Sequence, residues 1–365
     1  MSTDDVPELT LPKKVRYLVV GQGLAGTLIG YRLEQAGHDV HYQDAPEQRA
    51  ASSVAAGIVN PITGRRFVKS WRIDELLPAA RALYGDLESE LRVRIWYDIP
   101  LVRTLFNQAD ENDWLARSGD RGYGPYLDDA PELGRIPELT HPAFAYAGVR
   151  QSARVDLERL TAAYRTRLRQ AGRITETVLD YADLRPGPDG VSWDTADRRH
   201  RFDRVIFCEG WRSRFNPWFG HLPAEGNKGE VLIVRTQAPV LERMFKHRIF
   251  LVPRPDGTYW AGATSENGFG EELPSSPKRD YLEQRLREVL RVPFTIEDHM
   301  AAVRPTVADR RPVIGPHPEH DRLWIFNGLG TKGASLAPLV SEWLLSALTD
   351  GAPCPPEVHL NRFPE

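Results

Sequence analysis

The feature that most constrains this chain lies between Val15 and Asp44. Val15-Arg16-Tyr17-Leu18-Val19-Val20 ends in a continuous apolar run, as a strand buried on both faces should. Gly21-Gln22-Gly23-Leu24-Ala25-Gly26 comes next, and Leu24, Leu28, Ile29, Leu33 and Ala36 then recur at helical spacing. Gly37 stands where a helix end wants a left-handed residue, Val40-His41-Tyr42 forms the next strand, and Asp44 ends it. In such a unit Gly21 permits the tight turn, Gly23 lets backbone approach a pyrophosphate, and Gly26 lets helix and strand pack closely. The helix start, with Leu24 and Ala25, offers free N–H groups and partial positive charge to phosphates. Asp44, 18 residues past Gly26, is placed to accept ribose hydroxyls, and its charge disfavours a 2′-phosphate.

One such unit serves NAD and FAD alike. A simple NAD enzyme would continue with parallel strands and crossover helices, and the segment after Asp44 does not. Ala50-Ala51-Ser52-Ser53-Val54-Ala55-Ala56-Gly57 is a run of small residues that can lie against a flat ring and a diphosphate; an ordinary Ala/Ser loop is the alternative. Near the other end, Leu323-Trp324-Ile325-Phe326-Asn327 reads as a buried strand. Gly328-Leu329-Gly330-Thr331-Lys332-Gly333 comes after it, then a helix through Ala337, Val340, Trp343, Leu344 and Leu348. This second turn aims another helix start at something anionic, and reduced flavin carries negative charge that a helix dipole and Lys332 would stabilise. One turn can hold the pyrophosphate and the other the isoalloxazine, which points to FAD. The turns lie about 300 residues apart, so the first and last segments are expected to build one domain.

Composition narrows the partners. A net charge of −3 counts against a chain built to coat nucleic acid. Cys208 and Cys354 lack the spacing for a disulfide framework or a metal site and suit a reducing, cytoplasmic setting. No run approaches the ~18 apolar residues of a membrane span. Residues 1–14 read as a mobile tail with no signal-peptide core.

Four sets of residues resemble the FAD-dependent oxidoreductases of the D-amino-acid oxidase, glycine oxidase and sarcosine oxidase family. They are the fingerprint with Asp44; Ser53-Val54-Ala55-Ala56-Gly57; Val205-Ile206-Phe207-Cys208-Glu209-Gly210-Trp211; and Val303-Arg304-Pro305-Thr306 with Asp309 and Pro312-Val313-Ile314-Gly315, running into Gly328–Gly333. The resemblance implies an α/β, two-domain (α+β) fold. A Rossmann-like FAD-binding domain would comprise 15–89, 151–224 and 301–365. A substrate-binding domain would comprise 90–150 and 225–300, on a mixed, largely antiparallel sheet covering the flavin. It implies non-covalent FAD, since no cysteine occurs in Thr306-Val307-Ala308, where the covalently linked branch carries one. Cofactor contacts are expected from Gly21, Gly23, Leu24, Ala25, Gly26 and Asp44; from Ser52, Ser53, Ala55, Ala56 and Gly57; and from Glu209 and Gly210. Gly328, Gly330, Thr331, Lys332 and Gly333 complete the set. Thr175–Tyr181 is expected to be a strand whose Val178 passes the adenine end.

The activity implied is oxidation of the C–N bond of a small amino acid or N-alkyl amino acid, by hydride transfer to flavin N5, with oxygen or another acceptor downstream. By its Arg-Pro context, Arg304 matches the arginine that clamps a substrate carboxylate; pairing with Asp309 or Glu297 is the structural alternative. Arg65 and Arg66 open a stretch with four cations in eight positions, through Lys69 and Arg72. With Lys332 they are candidates for stabilising reduced flavin, steering an acidic substrate or activating oxygen; a solvated basic face is the other reading. Two different functions also fit: oxidation of a carboxymethylaminomethyl group on tRNA wobble uridine, and FAD binding without turnover.

Overall fold

The computed structural model describes residues 14–45, 47–128 and 139–363, so the expected tail lies outside the described residues apart from Lys14. Arg16–Val20 is the centre of a six-stranded sheet. Its strands run in the order Ile174–Thr175, Asp39–Gln43, Arg16–Val20, Arg204–Phe207, Leu323–Asn327, Val313–Pro316. All pair in parallel except the last two, which are antiparallel. Alternation explains the continuous apolar run: Tyr17 and Val19 enter one core, Leu18 and Val20 the other. On the first face lie the helices Leu24–Gln35, Ile73–Leu91 and Gly333–Thr349. On the second lies a three-stranded meander, Leu184–Gly187, Gly190–Asp194 and Arg199–Phe202, through Val191, Trp193 and Phe202.

A seven-stranded sheet runs Phe294–Arg304, Asn227–Thr236, Tyr259–Gly262, Phe250–Pro253, Met244–Lys246, Leu101–Leu105, Ala145–Val149. Six pairs of neighbours are involved, and only Met244–Lys246 with Leu101–Leu105 is parallel, so the sheet is mixed and largely antiparallel. Leu232 and Val234 bury one face under the helix Ser276–Val289, while Val231, Ile233 and Trp260 face the main core. Phe250–Pro253 and Tyr259–Gly262 form a hairpin through Pro255-Asp256-Gly257, with Gly257 at φ +80°.

Two expectations differ from what is observed. Thr175–Tyr181 is not a strand: pairing covers Ile174–Thr175 alone, and Tyr181–Asp183 is a 3-10 turn. Beyond Thr175 the chain leaves the sheet edge, and the side-chain amide of Gln43 donates to the Thr177 carbonyl in place of a ladder bond. The strand Phe294–Arg304 also runs straight through the domain limit set at 301, because residues 301–304 pair with 227–230. Among the described residues no helix is long and apolar enough to cross a membrane.

Candidate active site

Both glycine turns open on one cavity of about 650 Å³. At the first turn Gly21 takes φ +96°, and a Cβ there would meet the Cys208 carbonyl oxygen at 2.5 Å. The helix after it has Gly23 as N-cap, no side-chain cap and no acid in its first turn. Its first N–H groups are therefore left to whatever occupies the cavity, which Gly23, Leu24 and Ala25 line. At the second turn the helix Gly333–Thr349 likewise has no side-chain cap and no first-turn acid, and Gly330, Thr331 and Gly333 line the same cavity.

Asp44 lines the cavity, but it is also engaged within the protein. Its Oδ1 accepts the Gln22 backbone N–H at 2.9 Å, and its Oδ2 is ion-paired with Arg165, which also donates to Glu176 at 2.9 Å. The small-residue loop contributes Ser52, Ala55, Ala56 and Gly57 to the wall. It is tied to the opposite sheet by the Trp260 indole N–H, which donates to the Val54 carbonyl at 2.8 Å. Val178 is 65% exposed on the rim.

Glu209 and Gly210 also line the wall. Tyr181 donates to one Glu209 carboxylate oxygen at 2.6 Å and Asn216 to the other at 2.8 Å. Desolvation nonetheless outweighs these bonds and pushes the carboxyl up to about 7. Cys208, 6% exposed, also borders the cavity, and burial holds its thiol well above the usual range.

Four expected contacts lie elsewhere. Gly26 is a packing residue: a Cβ there would sit 1.9 Å from the Gly21 carbonyl oxygen. Gly328, at φ +74°, would meet the Arg311 carbonyl oxygen at 2.8 Å, so it serves the turn itself. The Ser53 hydroxyl turns back to the Ala50 carbonyl at 2.8 Å and stabilises the loop locally. Lys332 faces a neighbouring cavity, where its ammonium approaches the Thr63 hydroxyl at 3.4 Å. Burial first, then Arg311 and Arg310, depress its pKa.

Arg304 reaches the main cavity. Its guanidinium donates to Asn227 Oδ1 at 2.6 Å and to the Thr264 carbonyl at 3.1 Å. Neither alternative partner is available, since Asp309 pairs with Arg362 at 2.7 Å and Glu297 with Arg235 at 2.5 Å. Burial lowers its pKa and no acid offsets the shift, as fits a cation held for an incoming anion. Of the basic stretch, Lys69 pairs with Asp74 and Arg72 with Glu75, each at 2.5 Å. Arg65 is exposed on the neighbouring cavity, and Arg66 is exposed and borders neither.

Sequence reasoning missed Trp260, Asn227, Gly229 and Lys246, all on the cavity or bonded to its wall. A glycine inside a strand pattern marks a close approach, and Gly229 carried that signal.

The donor set fits a dinucleotide with a flat apolar ring. Two uncapped helix starts open on the cavity, Asp44 lines it beside the first, and Val231, Trp260 and Phe326 supply an apolar wall. Among the described residues no cluster of His, Cys, Asp or Glu is arranged to hold a metal.

Comparison with known proteins agrees with this geometry. Glycine oxidase of Geobacillus kaustophilus is 28% identical over 340 residues, spanning 88% of this chain and 89% of that protein. Glycine oxidase of Pseudomonas putida is 28% identical over 371 residues, spanning 94% and 98%. The crystal structure of the Geobacillus kaustophilus enzyme superposes with a TM-score of 0.78 at 24% identity, over 93% of this chain and 96% of that one. Residues 16–347 match the family model described as DAO, FAD dependent oxidoreductase. The chain therefore belongs to the DAO family of FAD-dependent oxidoreductases.

Proposed function

We propose that this enzyme oxidises the C–N bond of a small amino acid or N-alkyl amino acid, with FAD held non-covalently. The observation that carries the reading is Arg304, a guanidinium with no carboxylate partner among the described residues, on the cavity that both glycine turns share. The relatives named glycine oxidase support the substrate class.

FAD, held in this cavity, would supply the electron sink for the hydride. Asn227 and the Thr264 carbonyl fix the plane of the Arg304 guanidinium, so that its remaining N–H groups can take a carboxylate in bidentate fashion. Trp260 and Val231 exclude water from the reacting carbon. The substrate gives up a hydride from carbon and a proton from nitrogen, becomes an imine, and is hydrolysed to a carbonyl compound and an amine. Dioxygen or another acceptor takes the electrons onward. The raised pKa of the Cys208 thiol keeps it un-ionised and a poor nucleophile, which supports non-covalent binding. The two buried free cysteines support a cytoplasmic setting.

The test is anaerobic bleaching of the bound flavin by glycine, sarcosine, proline, D- and L-amino acids and N-methyl amines lacking a carboxylate. Bleaching by a carboxylate-bearing amine, with affinity lost in Arg304→Ala, is expected. A flavin that no amine reduces would sink the reading and leave a cofactor-binding protein without this turnover.

A further inference from the structure

The second cavity, of about 910 Å³, shares Lys246, Phe250 and Thr331 with the first. Its wall is strongly cationic. Arg103 and Lys246 are partners in the one parallel pairing of the seven-stranded sheet, where like charges side by side destabilise the ladder. Lys332 and Arg65 complete a set of four cations on this wall, and none of the four has a carboxylate within 4 Å among the described residues. Arg103 instead donates to the Ile62 and Gly64 carbonyls, and Lys246 to the Arg248 carbonyl. Arg248 and Arg285 also line this cavity and share Glu288, at 3.7 and 2.7 Å. The single carboxylate in the wall is Asp110, which accepts the Phe106 backbone N–H at 3.0 Å.

Arg103, Lys246 and Lys332 are partly withdrawn from water, and holding such cations with no salt-bridge partner is costly unless an anion completes the site. Burial, then Arg103, pulls the Lys246 ammonium down to about 8, and burial lowers Arg103 to about 10, with Asp110 offsetting only part of that shift. The stability lost is recovered when a ligand brings the missing negative charge. Arg304 already provides for one carboxylate in the first cavity, and Lys246 stands at the boundary of the two.

We propose that the second cavity receives a second anionic group of the substrate. The natural substrate is then an amino acid whose nitrogen substituent or side chain ends in a carboxylate or a phosphoryl group. The inference rests on the amine-oxidation reading. Arg304 holds the carboxylate beside the reacting carbon, and the cations around Lys246 and Arg103 hold the far end. A small molecule fits better than an RNA, because these cations line a cavity and the chain as a whole carries a net charge of −3.

The test uses the flavin-loaded protein. N-propylglycine is compared with glycines whose N-substituent has the same length but ends in a carboxylate or a phosphonate, by anaerobic flavin reduction at low and high salt. Calorimetry of glutarate against butyrate, neither of which can be oxidised, gives a second readout. At low salt the anionic ends should lower the half-saturating concentration about tenfold or more, and salt should shrink the advantage. Whichever anionic end gains more identifies the natural group. Lys246→Met and Arg65→Gln should each reduce the ratio of anionic to neutral affinity in both readouts. If neutral and anionic forms perform alike while flavin is reduced, this inference is overturned and the amine-oxidase reading stands. If no amine reduces the flavin but glutarate binds preferentially and Lys246→Met abolishes that preference, the anion site stands and the proposed reaction falls. Displacement of glutarate by bulk tRNA, with no preference among the small amines, overturns the inference in favour of a nucleic acid substrate.

Discussion

The guanidinium of Arg304 lies against the α-carbon of Gly229, so closely that a Cβ at 229 would come within 2.2 Å of Nη2. The glycine is what lets the arginine fold back over its own sheet and face the cavity. Gly229→Ala should displace the guanidinium and leave the FAD cradle intact. Affinity for a carboxylate substrate should fall about ten- to a hundredfold, with flavin content unchanged. Anaerobic titration checks this; wild-type affinity would separate Arg304 from the substrate carboxylate.

Gly26 contributes packing, and its replacement should be felt at the phosphates. A methyl group 1.9 Å from the Gly21 carbonyl oxygen forces the first helix away from its strand. Gly26→Ala should therefore purify nearly colourless, and the ratio of flavin to chain, read from the visible spectrum, decides it. A fully yellow variant would mean that the turn yields at little cost.

The hydrogen bond from Trp260 to the Val54 carbonyl joins the seven-stranded sheet to the small-residue loop. Trp260→Phe keeps most of the apolar contact and leaves a buried carbonyl without its donor. The cost should be about 1–3 kcal/mol, seen as a lower urea midpoint. Unchanged stability would mean that the carbonyl finds another donor.

Folding raises the Glu209 pKa from 4.5 to about 7, chiefly by desolvation. Between those values the folded chain binds more protons than the unfolded one, so this group makes stability fall as pH rises. Below about 4.5 the carboxyl is protonated in both states and the penalty is absent; above about 7 it is ionised in both and the penalty is full. Glu209→Gln should gain on the wild type across that window, on top of a constant offset from Asn216, whose amide would then face another amide. Melting temperatures from pH 4 to 9 check this, and parallel curves for the two proteins would refute it.

Local patterns made the nucleotide half of the molecule legible. The unit Val15–Asp44 needs no distant partner to be read, and Leu323–Asn327 announced itself as an apolar run before a glycine turn. The packing role of Gly26 was legible, but those of Gly328 and Ser53 were less so, because a glycine that shapes a turn and one that touches a ligand look alike in sequence, and a serine does not record which way its hydroxyl turns. Thr175–Tyr181 misled because an edge strand ends where its neighbour stops pairing, which its own residues do not record. The second cavity was least visible of all. Arg65, Arg103, Lys246 and Lys332 come from four separated segments, and only strand pairing and the second glycine turn bring them together.

The central sheet takes Arg16–Val20, Arg204–Phe207 and Leu323–Asn327 as successive neighbours, with the second glycine turn directly after the last. A ribosome therefore completes one half of the cofactor cradle about 300 residues before the other exists. At about 5–20 residues per second the first turn waits for about 15 to 60 s. Until then the Arg204–Phe207 edge lacks its neighbour, and no early fragment can close around the nucleotide. Assembly of the cradle thus waits for the second turn, and a chain broken off before that turn cannot form the cavity that both turns share.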